Sequence, residues 1–336
     1  MKKYIIIVLA LALSACERVD EPLGPSLSDT FGEFEVFNAF NVSAKNADFA
    51  NSDRIFFTAT FNKSVNWQIE IIGQTSGAKK IITGFSNELD NDNATWNGTT
   101  TELPMFKSET CTAILSVPTD SINGQPYSDT ITNIQVDSTR INDGFVVADF
   151  ENGINPGWTI FAQSGANMSF RIVTDPTAAQ GNSYYDMGGE VDFDFLIGLI
   201  DMPSSAYGTG PFPLSANPDN VYFNVLLDKP EGINNEIVLI RFSEDENGDG
   251  TFQEATEDQY SIELRGLETN WQLISERYSD LVALVNGAPA APNGNGVHEP
   301  NKIIQISILF LADPSSGYSQ TLMDYMIFTE GKALQP

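Results

Sequence analysis

No stretch of this 336-residue chain repeats its apolar residues with the period of a helix. Short runs alternate apolar and polar side chains instead, or concentrate β-branched and aromatic residues. Clusters of Gly, Asn, Asp and Pro separate them. Alternation puts successive side chains on opposite faces of a strand, so the pattern predicts an all-β fold of stacked sheets. The 22 Phe, 10 Tyr and 4 Trp supply core bulk and argue against disorder.

Two blocks of strands emerge. The first, 31–138, has candidate strands at 33–40, 54–61, 65–72, 80–84, 110–117 and 130–136. That density suits an immunoglobulin-like sandwich. The run Val65-Asn66-Trp67-Gln68-Ile69-Glu70-Ile71, then Gly77, Thr95-Trp96-Asn97-Gly98 and Thr112-Ala113-Ile114-Leu115, resembles the Ig-like module of flagellar-hook-capping proteins. A polar linker, 139–144, follows. The second block, 145–330, has candidate strands at 145–150, 158–162, 167–173, 184–187, 192–200, 220–227, 236–242, 259–264, 271–275, 303–311 and 322–328. So many strands in one block point to a larger jelly-roll β-sandwich. Its opening Asp149-Phe150-Glu151 with Gly157-Trp158, its Trp271-Gln272-Leu273-Ile274 and its closing Asp324-Tyr325-Met326-Ile327-Phe328 resemble galactose-binding-like domains and carbohydrate-binding modules. The loop 279–302 interrupts the pattern, with a helical turn expected at 280–285.

The N-terminus carries a separate signal. Lys2 and Lys3 precede an apolar run from Tyr4 to Leu13, and Leu13-Ser14-Ala15-Cys16 follows. The run is too short to span a bilayer and has signal-peptide form. Small residues before a Cys resemble the lipobox of bacterial lipoproteins. The resemblance implies a signal peptide over 1–15, lipidation at Cys16 and a tether over 16–30. Several acyl chains on one residue would anchor the protein stably in a membrane. A secreted protein with a chance Cys near its cleavage site is the alternative. Glu17, Asp20 and Glu21 are similar in kind to the acidic residues that Bacteroidota place after the lipidated Cys of exported lipoproteins, which implies an outer-membrane protein facing the cell exterior. Cys111, in an apolar alternation, is expected to be a buried thiol.

Charge narrows the partners. A net charge of -28 leaves no clustered Lys and Arg for phosphates, so no nucleic-acid partner is expected. Residues 141–336 hold 28 of the 45 acids and only 7 basic groups. The densest cluster is Asp245-Glu246-Asn247-Gly248-Asp249-Gly250-Thr251-Phe252. Oxygen-bearing side chains at alternate positions, with Gly250 at the bend, match the front half of an EF-hand-like calcium loop. Asp245, Asn247, Asp249 and the Thr251 carbonyl are the candidate ligands, with Glu254, Glu257 and Asp258 in place of the usual closing Glu. The flanks read as strands, so this would be a calcium-binding hairpin. A turn without metal is the alternative. The galactose-binding-like resemblance implies a second calcium at Glu151 and Asp324, beside Asp149.

Sugars are recognised by aromatic faces together with amide and carboxylate hydrogen bonds. Tyr184, Tyr185, Tyr207, Phe212, Tyr222 and Tyr318 are candidates, whereas Trp158 and Trp271 are expected in the core. The single His, His298, lies in a Pro/Gly/Asn loop, where a solvated position is expected. One His cannot build a multi-imidazole site, and no nucleophile elbow or phosphate-cradling loop occurs. No enzyme is therefore expected. The whole resembles the accessory glycan-binding lipoproteins of Bacteroidota polysaccharide-uptake systems, which implies a polysaccharide or oligosaccharide partner. A structural or adhesion protein, or a subunit docked on an outer-membrane transport complex, is the rival reading, followed by a glycoside hydrolase or lyase.

Overall fold

The computed structural model describes residues 32–191, 195–313, 315 and 317–336. The expected signal peptide, Cys16 and tether lie outside them. The described residues contain strands and short 3-10 turns but no α-helix, so the chain is all-β.

Seven strands build the first domain: β1 (Val36–Val42), β2 (Asn46–Asp48), β3 (Ile55–Gly73), β4 (Lys79–Leu89), β5 (Thr95–Trp96), β6 (Thr110–Ile122) and β7 (Gln125–Ser138). They pair in the order β1-β3-β6-β7-β2, with β4 and β5 also on β3. The strands expected at 54–61 and 65–72 are one continuous strand of 19 residues. Asn62-Lys63-Ser64 interrupts the apolar run without interrupting the backbone. Odd-numbered residues from Ile55 to Gly73 stay buried on both sides of that triplet. Both halves of β3 thus feed one core, in which Phe57, Phe61, Trp67, Ile69, Ile71 and Trp96 pack together. Cys111 is buried there, and burial pushes its thiol up to about 12.

The second domain is a two-sheet sandwich. Its strands are β8 (Phe145–Ala148), β9 (Thr159–Ala162), β10 (Ala166–Thr174), β11 (Ser183–Glu190), β12 (Leu196–Pro203), β13 (Val221–Asp228), β14 (Glu236–Glu244), β15 (Gln259–Arg265), β16 (Gln272–Arg277), β17 (Leu284–Val285), β18 (Ala288–Pro289), β19 (Ile303–Ala312) and β20 (Ser319–Glu330). One sheet runs β10-β11-β20-β13-β16, with β8 on β20. The other runs β15-β14-β19-β12-β9. Every expected strand of this block appears. The turn expected at 280–285 is instead a 3-10 turn at Tyr278–Asp280 followed by the β17–β18 hairpin. Alternate residues of both sheets, including Tyr185, Met187, Phe223, Phe242, Phe310 and Phe328, fill the space between them.

A third apolar cluster joins the domains. Leu226, Tyr325 and Ile327, on the outer side of the six-stranded sheet, pack against Leu103 and Met105 of the first domain and Leu334 of the C-terminal tail. Met105 N donates to Ala179 O at 2.7 Å, and Thr100 N donates to Pro336 O at 2.9 Å. The tail beyond β20 is therefore a wedge between the two cores. On the other half of the outer sheet face, Arg171 is exposed and Tyr184, Tyr318, Gln320 and Leu322 are half-buried.

Candidate functional site

That other half of the face is built from alternating positions. Tyr185 and Met187 of β11 point into the core, so Tyr184, Asp186 and Gly188 point outward. Register places Arg171 opposite Asp186 on one side and Leu322 on the other. Asp186 is buried at 5% exposure and fixes its neighbours. It accepts from Ser169 Oγ at 2.6 Å and Gln320 Nε2 at 2.7 Å, and Arg171 Nε lies 4.0 Å away. Gly188 has no side chain to obstruct Tyr318, whose hydroxyl would lie 2.6 Å from an added Cβ. Tyr184 and Tyr318 thus bracket a polar strip of Arg171, Asp186 and Gln320. Four residue steps along β11 separate Tyr184 from Gly188, a span of roughly 13 Å. Tyr184 also meets Trp271 edge-on at 5.6 Å, and Trp271 Nε1 donates to Thr177 O at 2.8 Å.

The remaining aromatic candidates do not join this strip. Tyr185 and Phe212 are core residues, with 0% and 1% exposure, and offer no face to a ligand. Phe212 lies in a loop, but the sandwich closes over that loop, packing its ring against Phe145, Tyr207 and Phe328. Tyr207 is tied inward: Trp158 Nε1 donates to its hydroxyl at 3.1 Å, and the hydroxyl donates to Val147 O at 2.8 Å. Tyr222 is half-buried on β13, where Arg277 Nε donates to its hydroxyl at 3.1 Å.

A second constellation closes the β14–β15 hairpin. Asp245 turns both oxygens onto the loop's own amides, accepting from Gly248, Asp249 and Gly250. Asn247 and Asp249 accept from Asp249 N and Thr251 N. The Thr251 carbonyl takes Gln253 Nε2. Glu257 takes Asn247 N at 3.2 Å and Gln253 N at 2.7 Å. Glu254 is exposed, and its carbonyl takes Asn293 Nδ2. The carboxylates that do converge are Glu244, Glu246 and Asp258, each with an oxygen within 4.8 Å of the others. Of the expected ligands only Asp258 belongs to this set. Asp245, Asn247 and Asp249 accept from the loop's own amides, while Glu244 and Glu246 meet Asp258. Burial pushes the Glu244 carboxyl up to about 7, against the opposing pull of Tyr278 and Glu299 hydrogen bonds. Beside this cluster lies a cleft of about 740 Å³, lined by Ser204, Thr209, Asn247, Thr251, Phe252 and Gln305.

The loop expected to be solvated packs over the same acids. His298 stacks on Tyr260, with ring centroids 3.8 Å apart at 17°, and its Nε2 lies 2.9 Å from Leu281 O. A stacked, hydrogen-bonded ring replaces the solvated one expected.

Glu151 and Asp324 act electrostatically on a lysine of the first domain. Lys107 of the first domain is buried at 7% exposure and donates to Pro176 O at 2.6 Å. Burial lowers its pKa, while Glu109, Glu151, Asp324 and Asp175 raise it. Asp324 is fully buried; Gln180 N and Tyr325 N donate to its two oxygens. Glu151 takes Asn182 N and Ser183 N, and Asp149 takes Glu151 N. Lys107 supplies positive charge here. A lysine reaching in from another domain leaves no local spacing signal.

No protein-family profile and no curated protein matches this chain. Among solved structures, it is similar to the family 11 carbohydrate-binding module of cellulosomal cellulase Lic26A-Cel5E of Clostridium thermocellum, at 14% identity and TM-score 0.38 over 56% of this chain and 95% of that one. It is similar to SGBP-B from a complex xyloglucan utilization locus in Bacteroides uniformis, at 11% identity and TM-score 0.36 over 88% of this chain and 73% of that one. It is also similar to the CBM22-1 xylan-binding domain of Paenibacillus barcinonensis Xyn10C, at 14% identity and TM-score 0.33 over 57% and 97%. Similarity at this level assigns neither family nor ligand.

Proposed function

We propose that this chain is a non-catalytic glycan-binding protein whose second domain holds a sugar chain on the outer face of its six-stranded sheet. The observation that carries the reading is the bracketed strip: Tyr184 and Tyr318 flank Arg171, Asp186 and Gln320 on one face. Aromatic rings stack on the CH faces of sugars, and planar polar groups between them hydrogen-bond to hydroxyls. Asp186 holds Gln320 in place, so part of the ordering cost is met before a ligand arrives.

The first domain acts as a spacer in this reading. Lipidation at Cys16 would put the protein on the outer membrane, facing outward, next to a transport complex that takes up the captured glycan. Calcium belongs to the same proposal, as an ion of the β14–β15 hairpin. Carboxylate oxygens are the ligands it prefers, and its charge would offset seven acids between Glu244 and Asp258.

The test is binding of the purified chain to a panel of plant, algal and host polysaccharides, with Tyr184→Ala and Tyr318→Ala alongside. Binding that both variants weaken supports the reading. No binding to any polysaccharide removes it.

A further inference from the structure

Lys302 acts electrostatically on Glu244 and Glu246 but bonds to neither. Among the described residues none of Glu244, Glu246 and Asp258 forms an ion pair with Lys or Arg, and the Lys302 ammonium is committed to Glu299 at 2.8 Å. Glu244 and Asp258 are fully buried. Most of their oxygens are accounted for. Glu244 Oε1 takes Tyr278 Oη–H and Glu299 N–H, both at 2.7 Å. Glu246 takes Asp258 N and Asn295 N. Asp258 takes Gly294 N at 2.6 Å, Gly296 N at 2.7 Å and Tyr260 Oη–H at 3.3 Å. Glu244 Oε2 is different: it is buried and has no partner at all.

A buried carboxylate oxygen without a donor is a costly arrangement, and two further carboxylates within 4.8 Å raise the cost. A divalent cation removes both penalties. Three carboxylates with neither sulfur nor imidazole among them make a hard-oxygen donor set, which suits calcium. The chain closes tightly over the cluster. A Cβ at residue 294 would collide with Glu246 Oε1, so Gly294 is the residue that lets the backbone approach.

We propose that Glu244, Glu246 and Asp258 form a calcium site that clamps the Asn293–Glu299 segment onto the β14–β15 hairpin. The ion so placed is not held by the Asp245–Asp249 motif, whose side chains organise their own loop. Asn247, Thr251 and Phe252 line the adjacent cleft, so the ion would stiffen that rim. This deepens the calcium part of the proposed function and does not depend on glycan binding. Loss of sugar affinity in the Tyr184 variant would leave it intact.

The experiment uses the full chain, stripped with a chelator and titrated with calcium chloride by calorimetry, and with terbium by sensitised luminescence. Tyr260 and Tyr278 touch two of the three ligands and are placed to excite a bound terbium. The expected result is one calcium per chain, with affinity at least about tenfold weaker in Glu244→Gln and Asp258→Asn and little changed in Asp249→Asn. Hydrogen exchange of the wild-type chain needs no variant: calcium should slow exchange at the amides of Gly294, Asn295 and Gly296. Absence of calcium binding overturns the site. So does affinity that falls in Asp249→Asn but not in Glu244→Gln, or exchange at 294–296 that ignores calcium.

Discussion

Lys107 Nζ donates to the carbonyl of Pro176 at 2.6 Å, and this bond carries a first-domain ammonium into the acidic end of the second domain. Glu109, Glu151, Asp175 and Asp324 all act on it. Lys107→Met keeps the stem and removes the charge, leaving the Pro176 carbonyl and the surrounding carboxylates uncompensated. The expected loss is about 1–3 kcal/mol in urea denaturation. Unchanged stability would show that the lysine is solvated rather than structural.

Tyr185 separates packing from polarity in the core. Its ring packs against Phe150 at 5.6 Å and Phe170 at 6.3 Å, while its hydroxyl is buried without a partner. Tyr185→Ala should cost about 3–5 kcal/mol through the cavity it leaves. Tyr185→Phe should be neutral or stabilising by about 1 kcal/mol, because it removes an unsatisfied group. Thermal melts of the two variants check this, and equal destabilisation would contradict it.

Asp324 gives the stability a pH slope. Burial pushes its carboxyl up to about 8 from an ordinary 3.8, so the folded chain holds a proton that the unfolded chain has lost. Stability from this group is full below the unfolded value and is lost as pH rises toward 8. Denaturation from pH 5 to 8 should therefore show a fall that Asp324→Asn flattens. An identical slope in the variant would assign it to other groups.

Most of the second domain was legible because each strand is short, alternating and bounded by turn residues. The first domain misled at Asn62-Lys63-Ser64, a polar triplet that reads as a turn. There the strand continues, and Lys63 Nζ finds Asp120 at 2.7 Å across the fold. The sites were less legible for a related reason. Tyr184 and Tyr185 are neighbours of the same type, and only β11's place in the sandwich sends one outward and one inward. Asp245 and Glu244 likewise differ by one position, and composition cannot tell which parity faces the cluster. Arg171, Asp186, Gln320 and Lys107 come together only through strand pairing and domain packing, which no local spacing encodes.

Gly188 offers a control on the proposed sugar-binding face that alters neither aromatic residue. A Cβ there would lie 2.6 Å from the Tyr318 hydroxyl, so Gly188→Ala should shift that ring. The expected outcome is an affinity loss of about 3- to 10-fold with the fold intact by circular dichroism. Full affinity would show that Tyr318 takes no part.

In the proposed function, Tyr184 and Tyr318 hold a glycan on the outer sheet face. The most direct measurement of this is the affinity of the full chain for the tightest-binding polysaccharide of the panel, beside the Tyr184→Ala/Tyr318→Ala double variant. Measurable binding by the parent chain is expected, with a loss of about 30-fold or more in a double variant that melts normally. Equal affinity in the two proteins, or none in the parent, would contradict it.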